Sequence, residues 1–375
     1  MRPSQLTALT LTGLIVVVAA FAAPVPPTKS FPASGPVRSA PSPDELHRGV
    51  SWVARGPIPG AAIEPLSALG ANWIVQTPFG WQRHHDSPSL MLATDGHVLW
   101  GETDEGLTVT TRLARELGID TLLKPHVWLT GARGKWRADI AMNTDEEWQR
   151  WFADYRRFIL HYARLAEQLG IGGLAVGTEL HATIRQRPDD WRRLIADVRA
   201  VYGGKLTYSA NWYREFEEVA FWEELDYIGI QAYFPLTEKQ QPSVDELMAG
   251  WQRHLPAIEA VARRTGKPVL FTEMGYRNTA DAAIEPWRWP DRAARLSGAT
   301  DPETQARCYE AFFRTFWHRP WFAGIYVWKW FPGRGVRPRG VSFTPQGQAA
   351  EAVLARWYGG KQYPDPPGPA VTTPE

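Results

Sequence analysis

"GIGGLAVGTEL", residues 170–180, decides the fold of this chain. Its glycines superficially match a dinucleotide-binding pattern, but they precede the short apolar run Gly173–Gly177 instead of following it. A phosphate cradle has to open the helix after a strand. Here it would sit at the wrong end, so the open doubly wound sheet it serves is set aside. What remains is a short buried strand that runs into Thr178 and Glu179. The same figure recurs in "KPVLFTEMGY" (267–276), where an apolar strand ends on Glu273. Burying an unpaired charge costs several kcal/mol, roughly, so each carboxylate must be delivered to the open end of a core.

Outward from these two runs the pattern repeats. Strands are expected at Gly49–Val53, Trp73–Thr77, Thr121–Val127, Gly173–Gly177, Leu206–Ala210, Tyr227–Ala232, Val269–Thr272 and Gly324–Trp328. They are short and mostly bounded by Gly, Pro or Asn, as buried parallel strands are. Amphipathic runs lie between most of them. Residues 144–170 open with Thr144 as N-cap and Glu147 three residues on, and close on Gly170. Residues 243–266 and 301–319 read the same way, and the weakest helix falls near Glu215–Glu224. Eight strands, each followed by a helix, predict an α/β fold of the (β/α)8 TIM-barrel type. Its usual size fits one catalytic domain over residues 47–358.

The two ends of the chain differ from this pattern. Residues 1–23 combine one arginine, an apolar stretch and the small-residue pattern Ala20-Phe21-Ala22, the layout of an export signal. Cleaved, it sends the protein to the periplasm or the medium; uncleaved, it is a membrane tether. Residues 24–46 read as a Pro/Ser-rich linker and 359–375 as a Pro-rich tail. The single cysteine, Cys308, excludes an intramolecular disulfide. With 41 basic and 40 acidic residues the net charge is +1, which offers nucleic acid no basic face. Neutral polymers or small molecules are the better partners.

In such barrels the chemistry lies at the C-terminal strand ends. Those ends carry Trp52, Trp81, His126 and Trp128, then Thr178 and Glu179, then Asn211 and Trp212. Gln231 and Tyr233, Glu273 and Tyr276, and Trp328 and Trp330 complete the set. Sugar rings present apolar C–H faces that stack on aromatic rings, and their hydroxyls need amide, imidazole or carboxylate partners. Glu179 and Glu273, on the fourth and seventh strands, face each other across the mouth. Glycoside hydrolysis needs such a pair: one carboxyl protonates the departing oxygen, and the other attacks the anomeric carbon or activates water.

Plainer readings stand beside these. Trp148, Trp151, Trp191, Trp251 and Trp317 lie on helices and are expected in the core. His84 and His85, taken with His126, suggest a metal-dependent hydrolase, but no carboxylate–histidine spacing completes a ligand set. Arg334, Arg337 and Arg339 read as a solvated loop, while Trp287 and Trp289 either reach a distal sugar or cover a barrel edge. No cofactor motif is present. A carbohydrate-binding barrel without turnover would keep the aromatic residues and has no need of both carboxylates.

Taken together, "HRGVSW", "KPHVW", "GTEL", "IGIQAYFP", "PVLFTEMGY" and "YVWKWF" resemble clan A of the glycoside hydrolases, most nearly the β-mannanase-like family 113. The resemblance spans essentially the whole of residues 47–358. It implies a retaining double displacement on a β-linked polysaccharide or oligosaccharide, with Glu179 as acid/base and Glu273 as nucleophile. Tyr233 would orient the nucleophile, and Trp328 would be the platform beneath the reacting sugar. Trp52, His126, Trp128 and Asn211 join them as expected substrate contacts. β-Mannan is the first substrate it suggests and β-glucan the alternative. At Thr178 the sequence departs from the clan, which usually has Asn there to hold the sugar's 2-hydroxyl.

Overall fold

The computed structural model describes residues 46–92 and 98–359. The expected export signal, the linker up to residue 45 and the tail from residue 360 lie outside the described residues. Among the described residues no helix is long and apolar enough to cross a membrane.

Eight parallel strands close into a barrel in which each is hydrogen-bonded to its sequence neighbours and the last returns to the first. They are β1 (His47–Trp52), β2 (Trp73–Gln76), β3 (Asp120–Leu123) and β4 (Gly173–Thr178), then β5 (Lys205–Asn211), β6 (Tyr227–Gln231), β7 (Val269–Met274) and β8 (Phe322–Trp330). All eight expected strands are present, and the (β/α)8 TIM barrel is the fold. A small interior core of Val75, Leu122, Leu270, Ala323 and Tyr326 plugs the barrel. Gly49 on β1 is required there, because a Cβ would lie 2.3 Å from the Tyr326 ring. The larger core lies between strands and helices and holds Trp148, Trp151, Trp191, Trp251 and Trp317, all buried.

The helices begin where side chains can satisfy their free N–H groups. Thr144 accepts from the Glu147 N–H and opens Asp145–Leu169, which ends at Gly170 with φ 59°. Ser243 and Glu246 form a reciprocal capping box at the start of Val244–Thr265. The weak region after β5 is a four-residue helix, Glu215–Glu218, followed by a 3-10 turn at Trp222–Glu224. The final helix, Ala349–Tyr358, is fastened back to β1 where the Tyr358 hydroxyl donates to the Gly49 carbonyl at 2.9 Å.

One element departs from expectation. The third strand does not run unbroken to Val127; it stops at Leu123, before Lys124-Pro125. Proline has no N–H to give a ladder, so the chain leaves the barrel and pairs again elsewhere. After Pro78 the chain leaving β2 does the same. Phe79–Gln82 and His126–Leu129 run parallel, and Leu90–Leu92 adds an antiparallel edge, making a three-stranded sheet. That sheet extends the barrel at its C-terminal end and carries His126 and Trp128.

Candidate active site

Register sets the floor of the mouth. Asn211 on β5 pairs with Gln231 on β6, and Gln231 pairs with Glu273 on β7. These three side chains therefore share one level at the C-terminal end. Glu179 follows β4 directly, with its N–H on the Ser209 carbonyl at 2.9 Å. It is held at φ 53°, in the left-handed region. For a non-glycine residue that costs on the order of 1–3 kcal/mol and persists only where the surroundings impose it.

Glu273 is surrounded by donors. The Tyr233 hydroxyl donates to Oε1 at 2.5 Å, while Lys124 Nζ and Gln231 Nε2 donate to Oε2 at 2.7 and 3.0 Å. Lys124 has no exposed side-chain surface. It reaches from the end of β3 across the barrel to β7, where it also donates to the Thr272 carbonyl at 3.1 Å. Burial pushes the Glu273 carboxyl up, but the Lys124 charge and the bonds from Lys124, Tyr233 and Gln231 outweigh it. The net result is a carboxyl below its ordinary range, held ionised.

Glu179 has the opposite balance. Arg137 Nη1 donates to Oε2 at 2.8 Å and Asn211 Nδ2 to Oε1 at 3.1 Å. The Asn211 amide is oriented because its Oδ1 accepts the Tyr213 N–H at 2.9 Å, which turns Nδ2 toward the carboxylate. Burial raises the Glu179 carboxyl, Arg137 pulls it down and the charge of Glu273 raises it again; the net shift is upward. One carboxyl of the pair is thus pushed down and the other up. Such a split is the usual sign of a base or nucleophile beside an acid.

The substrate-facing residues expected from the sequence fall into two groups. Asn211 and Tyr233 touch the carboxylates directly. Trp328 packs on the backbone just beyond Glu273, where a Cβ on Gly275 would lie 3.0 Å from its Cβ. His126 is buried edge-on to Phe79, with Nε2 unpartnered among the described residues and its imidazole held neutral by burial, Arg137 and Lys124. Trp52 is buried in register with Trp330, and its indole N–H is also unpartnered. Trp128 stands 49% exposed in the second sheet. The other exposed large aromatics of the described residues, Trp136, Tyr213, Trp287 and Trp289, also lie on loops after barrel strands. Trp287 stacks on Trp212 at 5.1 Å, and Trp289 meets Trp328 edge-on at 6.2 Å. Thr178 is buried and its hydroxyl donates to the Pro125 carbonyl at 3.3 Å. His84 is bonded to the Gly131 carbonyl, and no three His, Cys, Asp or Glu among the described residues form a metal-ligand group.

Three participants escaped the sequence reading: Lys124, Arg137 and Glu215. Glu215 opens the short helix after β5 and is fully buried. Its Oε1 accepts from the Tyr208 hydroxyl at 2.5 Å, and its Oε2 from the Asn211 N–H at 2.8 Å. Tyr208 in turn accepts the Leu180 N–H at 2.7 Å. Glu215 therefore braces Asn211, which donates to the Glu179 carboxyl, and Tyr208, which holds the backbone of the next residue. Burial pushes its own pKa up to about 8 from 4.5. The folded protein keeps a proton that the unfolded chain has released, so this stabilisation is complete below about 4.5 and fades as pH rises to about 8. We predict that Glu215→Gln flattens the decline in unfolding midpoint over that window. Identical pH slopes for variant and wild type would show that Glu215 does not titrate there.

The family profile described as Glycoside Hydrolase Family 113 matches residues 57–334. No curated protein sequence matches. Among solved structures, the GH113 β-mannanase of Alicyclobacillus acidocaldarius in complex with ManMIm is 28% identical, with a TM-score of 0.70, over 84% of this chain and 97% of that one. A GH113 β-1,4-mannanase complex is 27% identical, also with a TM-score of 0.70, over 84% and 100%. A β-glucuronidase from Ruminococcus gnavus, 14% identical with a TM-score of 0.54, covers 83% of this chain and half of its own and shares the fold alone. The expectation drawn from the strand-end motifs holds, and the chain belongs to Glycoside Hydrolase Family 113.

Proposed function

We propose that this glycoside hydrolase cleaves β-linked mannan by a retaining double displacement, with Glu179 as acid/base and Glu273 as nucleophile. The opposed shifts of the two carboxyls carry this reading: the Glu273 pKa is lowered, which favours the ionised nucleophile, while that of Glu179 is raised, which favours the acid. In the first step the Glu273 oxygen bonds to the anomeric carbon as the glycosidic bond breaks, and Glu179 protonates the leaving oxygen. In the second, Glu179 takes a proton from water, which attacks the same carbon and releases Glu273. The substrate assignment leans on the GH113 β-mannanases, similar along almost their whole length. Trp328 would support the reacting sugar, with His126, Asn211, Trp52 and Trp128 as further contacts. The apolar N-terminal segment favours export, which would bring the enzyme to polymeric substrate.

The test is a panel of β-mannans, β-glucans and aryl β-glycosides with chromatographic product analysis. Release of manno-oligosaccharides is expected; cleavage of β-glucan alone would move the substrate, and no cleavage of any member would end the reading. Tyr233 refines it. Its hydrogen bond to a charged carboxylate is worth about 1.5–3 kcal/mol, so Tyr233→Phe should lower kcat about ten- to a hundredfold with little change in KM. Normal turnover in that variant would remove Tyr233 from the site.

A further inference from the structure

Lys329 follows Trp328 on β8. Its ammonium lies 5.1 Å from the Trp289 ring, 5.5 Å from that of Trp328 and 5.2 Å from that of Phe331. Three aromatic faces hold the cation without neutralising it. Among the described residues it has no hydrogen-bond or ion-pair partner, and the carboxylate whose charge it senses is Glu273. Burial lowers its pKa, and the charges of Arg55 and Arg295 lower it further.

Beside this cage an open groove of about 540 Å³ runs between the loops after β1 and β8. Phe331 is shared, forming one face of the cage and part of the groove wall, and Arg55 also lines the groove. The two loops are joined by Val53 N–H to the Trp330 carbonyl at 2.9 Å and by Gly333 N–H to the Ala62 carbonyl at 3.1 Å. Arg334, also in the wall, is neutralised by Glu64 at 2.6 Å. Arg55 has no such partner among the described residues. The groove wall thus keeps one cation without a carboxylate, Arg55, and Lys329 stands beyond the shared Phe331, near enough for the two charges to act on each other. A neutral hydroxyl could accept a hydrogen bond from either, but it would leave both charges uncompensated. An anion would not.

We propose that this groove binds a carboxylate-bearing sugar, a uronic acid substituent of the glycan, with Lys329 and Arg55 as its charge partners. The inference rests on the β-mannan reading for the identity of the main chain. The probe is a β-1,4-manno-oligosaccharide with one glucuronate branch, compared with the same oligosaccharide after its carboxylate is reduced to the alcohol. The acidic form should have the higher kcat/KM by about tenfold or more, as charge-assisted hydrogen bonds allow. That ratio should fall toward one in Lys329→Gln, drop part of the way in Arg55→Gln, and shrink in high salt. A wild-type ratio of one, with the reduced form cleaved, overturns this proposal and leaves the mannan reading intact. If neither is cleaved, the mannan reading falls and calorimetry decides: tighter binding of the acidic form, lost in Lys329→Gln and reduced in Arg55→Gln, supports the groove, and equal binding overturns it.

Discussion

Glu273→Ala is expected to lose on the order of 10⁴–10⁶-fold in turnover on every β-glycan it is offered, because no other group can form the glycosyl-enzyme. Glu179→Ala should lose about 10²–10⁴-fold on a polysaccharide, where the leaving sugar must be protonated. With an activated aryl leaving group the first step needs little acid, so this variant still forms the intermediate and stalls at attack by water. Azide needs no general base. It should restore turnover of Glu179→Ala and yield the glycosyl azide with the β configuration of the substrate. In Glu273→Ala azide can occupy the vacated space and attack directly, giving the α product. An α-azide from Glu179→Ala would exchange the two roles, and undiminished activity in both variants would remove both residues from the chemistry.

The two carboxylates were legible because each interrupts an apolar strand, and a buried strand ending on a charge demands an explanation. By the same argument Lys124 should have been found. "TLLK" (121–124) is an apolar strand ending on a cation, passed over in favour of His126 and Trp128 just beyond it. Arg137 could not be found in this way. It comes from a 3-10 turn in the loop after His126–Leu129, where no periodicity marks a residue, and only the fold brings it to Glu179. Glu215 was hidden by company, since "EFEE" (215–218) reads as a solvated helix end, yet its first glutamate is buried beneath Asn211. The strand pattern was legible throughout except where Pro78 and Pro125 divert the chain into a second sheet. Sequence periodicity marks a strand without naming the sheet it joins.

Lys124 carries the other large effect. Removing one partner of a buried ion pair costs about 3–5 kcal/mol, because the remaining charge is left without compensation. In Lys124→Met the charge and the hydrogen bond that most oppose the burial of Glu273 are gone, so its pKa should rise. In the wild type the depressed pKa contributes stability above the unfolded value, and this is lost as pH falls through the folded one. In the variant the higher pKa shrinks that contribution, so the loss relative to wild type grows as pH climbs. The variant should therefore be close to wild type in acid and most destabilised at neutral and alkaline pH, read as the gap between denaturation midpoints. A gap independent of pH would mean that Lys124 supports Glu273 by packing alone. Catalysis gives a second readout. The acid limb of kcat/KM reports ionisation of the nucleophile and should move to higher pH in Lys124→Met, while the alkaline limb reports loss of the Glu179 proton. Arg137→Gln acts on that other limb: without the guanidinium the Glu179 pKa rises further, and the alkaline limb moves up while the acid limb stays. Each cation would then set chiefly the edge of the pH window that belongs to its own carboxylate. The Lys124 charge also lowers the Glu179 pKa, so a smaller movement of the alkaline limb accompanies Lys124→Met. An acid limb that moves more in Arg137→Gln than in Lys124→Met would refute the separate roles given to Glu179 and Glu273.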